Sequence, residues 1–479
     1  MLRVSLVSLV AGLVLFVCRT DIKAAAPADQ TRRAWLYHAS DGDGVFTKEN
    51  DNQWIEEGSG GTQFQFEEAA RTAGYIELFD PGRKMWLRLY SDHAEWRQGE
   101  QPQWNGLYRG RWVDAAKLTR RAKSDCRIRL VYFVPTDRQP TPEYAKKIRV
   151  VMQIVSELYR QDFEARRIPS PGLRFQIQHN EVVVHLVRGS HTAAFYNDAP
   201  NYDPQNQWKK ILPEIPPSVG ALGKNLIVVF AETYDSGPAA FEWPGGVALG
   251  NRSSADGGVG LFSAWILRPE FCATTVPRQK ELLFDATPIE GRTALGHGRP
   301  NSPRFEFIED GFGAVAHELG HAMGLPHDHR QDHLEIMGNG FRNLRWNFTT
   351  PLDPGRRVRF SDDNARLLAT SRYLAPDAVL TDRLAPTVAL RWAAPLHAGD
   401  TTVRLSVTAS DNEGLRALLF FTPAEDSVVG GRSLAGKTIA FDESLSVKPL
   451  KPGPFWLEAY VADAGGNLSR LEIKGTVEP

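Results

Sequence analysis

His317-Glu318-Leu319-Gly320-His321-Ala322-Met323-Gly324-Leu325-Pro326-His327-Asp328 is the stretch that decides how this chain is read. Its pattern is H-E-x-x-H-x-x-G-x-x-H. On an α-helix, positions i and i+4 share a face, so His317 and His321 can close on one metal ion. Glu318 lies beside them, placed to accept a proton from a water held by that ion. Gly324 lets the helix stop, because glycine enters the left-handed backbone conformation without a Cβ clash. Leu325-Pro326 then holds the chain extended, and His327 returns as a third ligand. Three protein ligands with a fourth position left open describe a catalytic zinc site, whereas a structural zinc site is usually closed by four. The chain has 12 histidines in 479 residues. Three of them at these offsets, with Glu and Gly also in place, argue against an amphipathic helix whose histidines merely face solvent or core. Glu318 argues against a site kept for structure alone.

The extended motif resembles that of the metzincin metallopeptidases. That family carries a methionine turn after the third histidine, and Glu335-Ile336-Met337-Gly338 is similar to it. Asp328, directly after His327, is similar to the residue found there in the adamalysin (reprolysin) and snapalysin-like groups. The chain differs from adamalysins in having few cysteines. It has Asn339 where astacins have a tyrosine, and no cysteine-switch segment stands upstream. The resemblance implies one catalytic zinc held by His317, His321 and His327, with Glu318 as general base and acid. It implies that Met337 packs beneath the histidines as a floor, and that Gly324 and Asp328 support the turn into the third ligand. A gluzincin arrangement, with a distant glutamate as third ligand, is disfavoured by His327 at the expected spacing.

Composition is that of an ordinary globular chain, with 42% hydrophobic and 24% charged residues. A net charge of −1 gives no argument for nucleic acid or for strongly charged partners. The first residues, Met1-Leu2-Arg3, precede an apolar run from Val4 to Val17 and then Ala24-Ala25-Ala26. A short basic start, an apolar stretch and small residues near a cut site describe a secretory signal peptide over residues 1–26. The run is short for a spanning helix, which needs ~20 residues. The expectation is an exported protein, secreted, periplasmic or at the cell surface, with no spanning segment in the mature chain. Cys18 leaves a lipid anchor open. Cys126 and Cys272 could form a disulfide after export or stand as two separate buried thiols.

Along the chain, residues 33–118 read as a small β-rich domain. Thr62–Phe66, Tyr75–Phe79 and Met85–Tyr90 are short strands set apart by turn signals such as Asp80-Pro81-Gly82. Trp86, Trp96, Trp104 and Trp112 suit an aromatic core better than a carbohydrate-stacking face. The domain could also serve as a propeptide. Lys117 to Lys123 reads as a basic linker. Residues 126–376 read as an α/β (α+β) metzincin-like catalytic domain. Ile128–Val134 is a strand, and Thr141-Pro142-Glu143 opens a helix with Pro142 in its first turn. Ile148, Val151, Val155, Leu158 and Tyr159 mark the buried face of that helix. Strands are expected over Leu173–His179 and Glu181–Val187, and a doubly covered strand over Leu226–Phe230. The Gly-rich stretch from Gly245 to Trp265 reads either as a surface loop or as a sheet edge that pairs with an extended substrate. The motif helix is expected over about Gly311 to Met323, and His329 and His333 are expected to face solvent. Ser361-Asp362-Asp363 caps a last helix. Pro376 to Asp382 reads as a linker. Residues 385–479 then alternate in the manner of an all-β, Ig-like or fibronectin-like sandwich, with strands at Val388–Trp392, Thr402–Thr408, Ala417–Phe421 and Phe455–Val461. The turns Ser410–Gly414 and Asp463–Asn467 could hold calcium, although turn chemistry alone explains Asp, Asn and Gly there.

The function expected from these readings is zinc-dependent hydrolysis of peptide bonds in a protein or peptide substrate. The alternatives are an exported binding or adhesion protein with an inert peptidase domain, and a zinc hydrolase of non-protein amides. Oligomeric state is not legible in the sequence.

Overall fold

The structure, a computed structural model, describes residues 32–39, 42–48, 52–57, 63–114, 127–178, 181–220, 225–235, 246–252, 257–296, 298–380 and 382–479. The signal-peptide reading of residues 1–26, Cys18, the basic run at 117–123 and Cys126 lie outside the described residues.

Ile128–Val134 alternates its side chains between two apolar layers, as a strand covered on both faces must. Ile128, Leu130, Tyr132 and Val134 enter the core shared with the long helices. Val131 and Phe133 enter a second core beneath Tyr196, Ile211 and Val219. The strand lies inside a five-stranded sheet of order Val184–Arg188, Ile128–Val134, Leu226–Ala231, Gly258–Ser263, Ala248–Arg252. The first four strands run parallel, and Ala248–Arg252 is an antiparallel edge. The Gly-rich stretch therefore supplies two strands, one at the edge and one fully buried inside the sheet.

Two helices lie on one face. The first runs Tyr144–Ala165 and buries Ile148, Val151, Val155, Leu158 and Tyr159, the face its spacing predicts. It starts after Pro142, because Glu143 takes a left-handed conformation (φ 57°) and serves as the N-cap. The second is the motif helix, Arg304–Ala322, which begins earlier than the sequence reading placed it. Gly311 and Gly313 do not start this helix; they sit inside it. A Cβ on Gly311 would lie 2.4 Å from Ile266, and one on Gly313 would lie 2.3 Å from the Phe341 carbonyl. The glycines are there for close packing. Of the strand expected over Leu173–His179, the described residues up to Gln178 form a bridge at Phe175 and the short piece Ile177–Gln178. The closing helix, Asp362–Leu368, is capped as expected by Ser361 Oγ, which accepts from Asn364 N–H.

The N-terminal unit is a closed eight-stranded barrel from Ala34–Ala39 to Asn105–Trp112, sealed where Trp35 pairs with Trp112. Trp35, Phe46, Trp54 and Phe66 fill it. Trp96 and Trp112 pack against that core. Trp86 and Trp104 lie half-buried beneath arginines, Arg97 over both and Arg88 over Trp104, so only part of the aromatic set is core.

The C-terminal unit is a sandwich of a three-stranded and a five-stranded sheet. Leu418, Phe420 and Val461 of the five-stranded sheet face its own core. Leu419, Phe421, Val428 and Tyr460 face the other way and join the core that contains the motif helix. The segment read as a linker is buried against this junction, with Ala378 at 2%, Val379 at 6% and Leu380 at 4% exposure. The whole is a mixed α+β fold between a barrel and a sheet-rich C-terminal region.

The motif helix meets the sheet backbone to backbone. A Cβ on Gly258 would lie 1.9 Å from the Ala322 carbonyl oxygen, and one on Gly250 would lie 1.9 Å from that of Glu318. Gly258→Ala should therefore destabilise this helix-and-sheet unit by about 1–3 kcal/mol through overpacking. The check is a lowered thermal midpoint against the parent chain.

Candidate active site

The motif helix ends where the sequence reading placed its stop. Gly324 has φ +98°, Gly324 N–H donates to the His321 carbonyl (2.9 Å), and Leu325 N–H reaches back to the Gly320 carbonyl (3.0 Å). This Schellman arrangement caps the last carbonyls and turns the chain, so that His327 faces the two helical histidines. The ring centroids of His317 and His327 lie 5.2 Å apart, and those of His321 and His327 lie 4.6 Å apart. One nitrogen from each of the three lies within 4.8 Å of the others.

Their tautomers follow from their partners. His317 Nδ1 lies 2.6 Å from the Ile336 carbonyl oxygen, and His321 Nδ1 lies 2.8 Å from that of Leu325. A carbonyl can only accept, so each Nδ1 carries the proton and each Nε2 keeps a lone pair. Those two Nε2 atoms face each other at 3.1 Å. Converging lone pairs of this kind suit a shared cation. Burial, with His321 beside it, holds the His317 imidazole well below its usual range. Burial likewise holds His321 down to about 4. Both rings are thus neutral and available as ligands near pH 7. The donor set fits a metal such as zinc.

Glu318 projects from the same helix toward the edge strand, where Gly250 N–H donates to its carboxylate. Burial pushes Glu318 up to about 7, against the effect of that hydrogen bond. A carboxyl near neutrality is suited to taking and returning a proton. Met337 is fully buried; a Cβ at Gly320 would come within 2.5 Å of its Sδ, so the glycine lets the sulfur seat against the helix. Asp328 is also fully buried, and its N–H donates to the Met337 carbonyl (3.0 Å). The site residues singled out in the sequence, His317, Glu318, His321, Gly324, His327, Asp328 and Met337, are thus brought together.

Two features differ from the sequence reading. His333 is exposed as expected, but His329 is not simply turned to solvent. Its ring lies 5.4 Å from that of His327, and its Nδ1 meets Asp332 at 2.6 Å. More consequential is Asp426, at a turn of the C-terminal sandwich. Its carboxylate oxygens lie 3.0 and 3.1 Å from His327 Nδ1. Next to it, Ser427 Oγ accepts from His329 N–H (2.9 Å), and Val428 N–H donates to the His327 carbonyl (3.1 Å). No local signal in Pro423-Ala424-Glu425-Asp426 marks this role; the segment reads as an ordinary turn. A cavity of about 550 Å³ opens beside the histidines, walled by Gly250, Asn251, Arg252 and His321 on one side and by Phe421, Tyr460, Leu468 and Arg470 of the sandwich on the other.

Residues 273–369, which include the whole motif and Met337, match the family model Metallopep, described as "Putative peptidase family". No curated protein matches the chain. Among solved structures, wild-type OgpA from Akkermansia muciniphila is similar in two crystal forms. Each has 18% identity and a TM-score of 0.50 over 74% of this chain, covering 94% of OgpA in one form and 93% in the other. Catalytically inactive OgpA, in complex with an O-glycopeptide substrate, matches at 17% identity and a TM-score of 0.49, over 74% of this chain and 94% of that one. At this identity the likeness is one of fold. The family match supports a peptidase, and with the histidine cluster it supports one that uses a metal.

The carboxylate partner of a ligating imidazole fixes its ring and raises its basicity. Asp426→Ala should weaken metal retention about 10–100-fold, the usual cost of losing such a partner. Asp426→Asn keeps an acceptor oxygen and should cost less. Both are read by competition with a chromophoric chelator, and retention equal to the parent's in both would show that Asp426 does not orient His327.

Proposed function

We propose that this chain is a zinc-dependent endopeptidase of the metzincin type. The observation that carries the reading is the convergence of His317, His321 and His327 on one point, with Glu318 on the same helix and the edge strand of the sheet alongside. His317, His321 and His327 would hold the zinc. When bound, zinc supplies Lewis acidity that activates water and polarises the scissile carbonyl.

The chain's own residues do the rest. Ala248–Arg252 offers its outer edge to an extended peptide, and main-chain pairing there aligns the substrate along the cleft. Glu318, near neutrality in its buried position, removes the proton from the attacking water and delivers it to the leaving amine. Asp426 and the Leu325 and Ile336 carbonyls hold the three imidazoles in the ligand-bearing tautomer. Phe421, Tyr460 and Arg470 of the sandwich contact substrate side chains on the far wall. Residues 1–26 direct export, so the enzyme works outside the cytoplasm. No described helix is long and apolar enough to cross a membrane.

The decisive test is cleavage of an unstructured protein such as casein by the mature chain. Glu318→Gln should keep its zinc and lose activity by about 10²–10⁴-fold, the contribution of general acid–base catalysis. His327→Ala should release zinc on dialysis. A Glu318→Gln enzyme with parental activity would sink the assigned role. A zinc-loaded parent that cleaves no protein or peptide would point instead to a binding protein or a hydrolase of other amides.

A further inference from the structure

A second polar cluster lies away from the histidines, where the sandwich joins the catalytic unit. Three aspartates from separate parts of the chain meet there: Asp382 from the connecting segment, Asp411 from the turn after Thr402–Ser410, and Asp463 at the end of the strand Gly453–Asp463. One oxygen of each lies within 4.8 Å of the others. Asp463 is fully buried and Asp382 is 5% exposed.

The hydrogen-bond accounting at this cluster does not close. Asp382 Oδ1 accepts from Leu384 N–H and Asn412 Nδ2, both at 3.1 Å. Asp411 Oδ1 accepts from Glu413 N–H (2.8 Å) and Gly414 N–H (2.6 Å). Asp463 accepts from Asn467 N–H and from Asn467 Nδ2, both at 2.8 Å. The remaining oxygens, Asp382 Oδ2 and Asp411 Oδ2, are sealed from solvent and have no hydrogen-bond donor among the described residues. A buried carboxylate oxygen without a donor is costly unless a cation meets it. Burial, with the charges of Asp411 and Asp382 beside it, pushes Asp463 up to about 6. The turn also makes room here: a Cβ on Gly465 would lie 3.0 Å from Asp382 Oδ2.

We infer that Asp382, Asp411 and Asp463 form an oxygen-donor site for a calcium ion that locks the sandwich to the catalytic unit. The donors are carboxylates only, with no imidazole or thiolate among the described residues of the cluster, which selects a hard cation over zinc. The ion satisfies the two orphaned oxygens and screens three mutually repelling charges. Its effect reaches the cleft. Arg252 of the edge strand donates to the Gly466 carbonyl (3.0 Å), in the same turn as Asp463, and Leu468 just beyond lines the cavity beside the histidines. The sequence offers the two acidic turns as separate stretches; Asp382 is the residue that makes them one site. This inference does not depend on the peptidase reading.

The test uses the full mature chain carrying His317→Ala, so that the histidine site does not compete for the ion. Calcium chloride is titrated by calorimetry, and the thermal midpoint is followed with and without calcium. One calcium should bind per chain and raise the midpoint. Asp411→Asn, which keeps the Oδ1 contacts of its turn, should abolish both effects, and Asp382→Asn should do the same if it folds. No binding at millimolar calcium, or binding unchanged in Asp411→Asn, would overturn the site. So would a midpoint that rises as pH falls through 6 and ignores calcium, because protons would then neutralise the cluster.

Discussion

The buried carboxylate of Asp328 is the interaction on which the rest of the site depends. Arg330 grips it in a fork, Nε to Oδ1 at 2.9 Å and Nη2 to Oδ2 at 2.6 Å, and also reaches Asp363 of the closing helix at 2.9 Å. Its N–H holds the methionine turn through the Met337 carbonyl, and Ser427 Oγ of the sandwich lies 3.4 Å from it. Glu335 shares this pocket. Burial and the charge on Asp328 push Glu335 up, while Arg330 holds Asp328 down. Two carboxylates, Asp328 and Asp363, and the one guanidinium between them thereby fix the third-histidine loop, the methionine turn, the closing helix and the sandwich relative to one another. With Asp328 buried and Arg330 reaching solvent, the pair is weak evidence for stability as such, but it is well suited to specifying one arrangement among several.

What the sequence made legible was local. The ligand spacing, the helix stop at Gly324 and the cap at Ser361 all depend on residues within a few positions of each other, and they stand where the spacing puts them. The alternation in Ile128–Val134 and the face Ile148, Val151, Val155 and Tyr159 likewise needed only the period of a strand or helix. The readings that moved involve tertiary contact. Gly311 lies inside the motif helix and not at its start, and both it and Gly313 are needed because Ile266 and Phe341 leave no room for a side chain. Pro376 to Asp382 looks like a linker because its apolar residues have no periodicity, yet the junction buries them. Barrel closure rests on the pairing of the first and last strands, which no short window contains. Asp426 stands 99 residues from His327, in a turn whose composition calls for nothing beyond a turn.

That distance changes how the C-terminal unit should be regarded. Its five-stranded sheet presents one face to its own core and the other to the core of the motif helix. It contributes the partner of the third histidine and one wall of the cavity beside it. A sandwich of this kind reads as an accessory module in the sequence, but in the folded chain it is half of the cleft.

The buried segment between the two units is what makes that arrangement inexpensive. Two separate proteins forming the same cleft would lose translational and rotational freedom on association, several kcal/mol of it. Here Val379 N–H is hydrogen-bonded to the Ala464 carbonyl at 2.7 Å, and Ala378, Val379 and Leu380 of the connection are buried. A tether of that length gives each half an effective concentration, as seen by the other, of roughly millimolar or more. The cleft is in effect an intramolecular complex, whose assembly does not depend on how dilute the protein is.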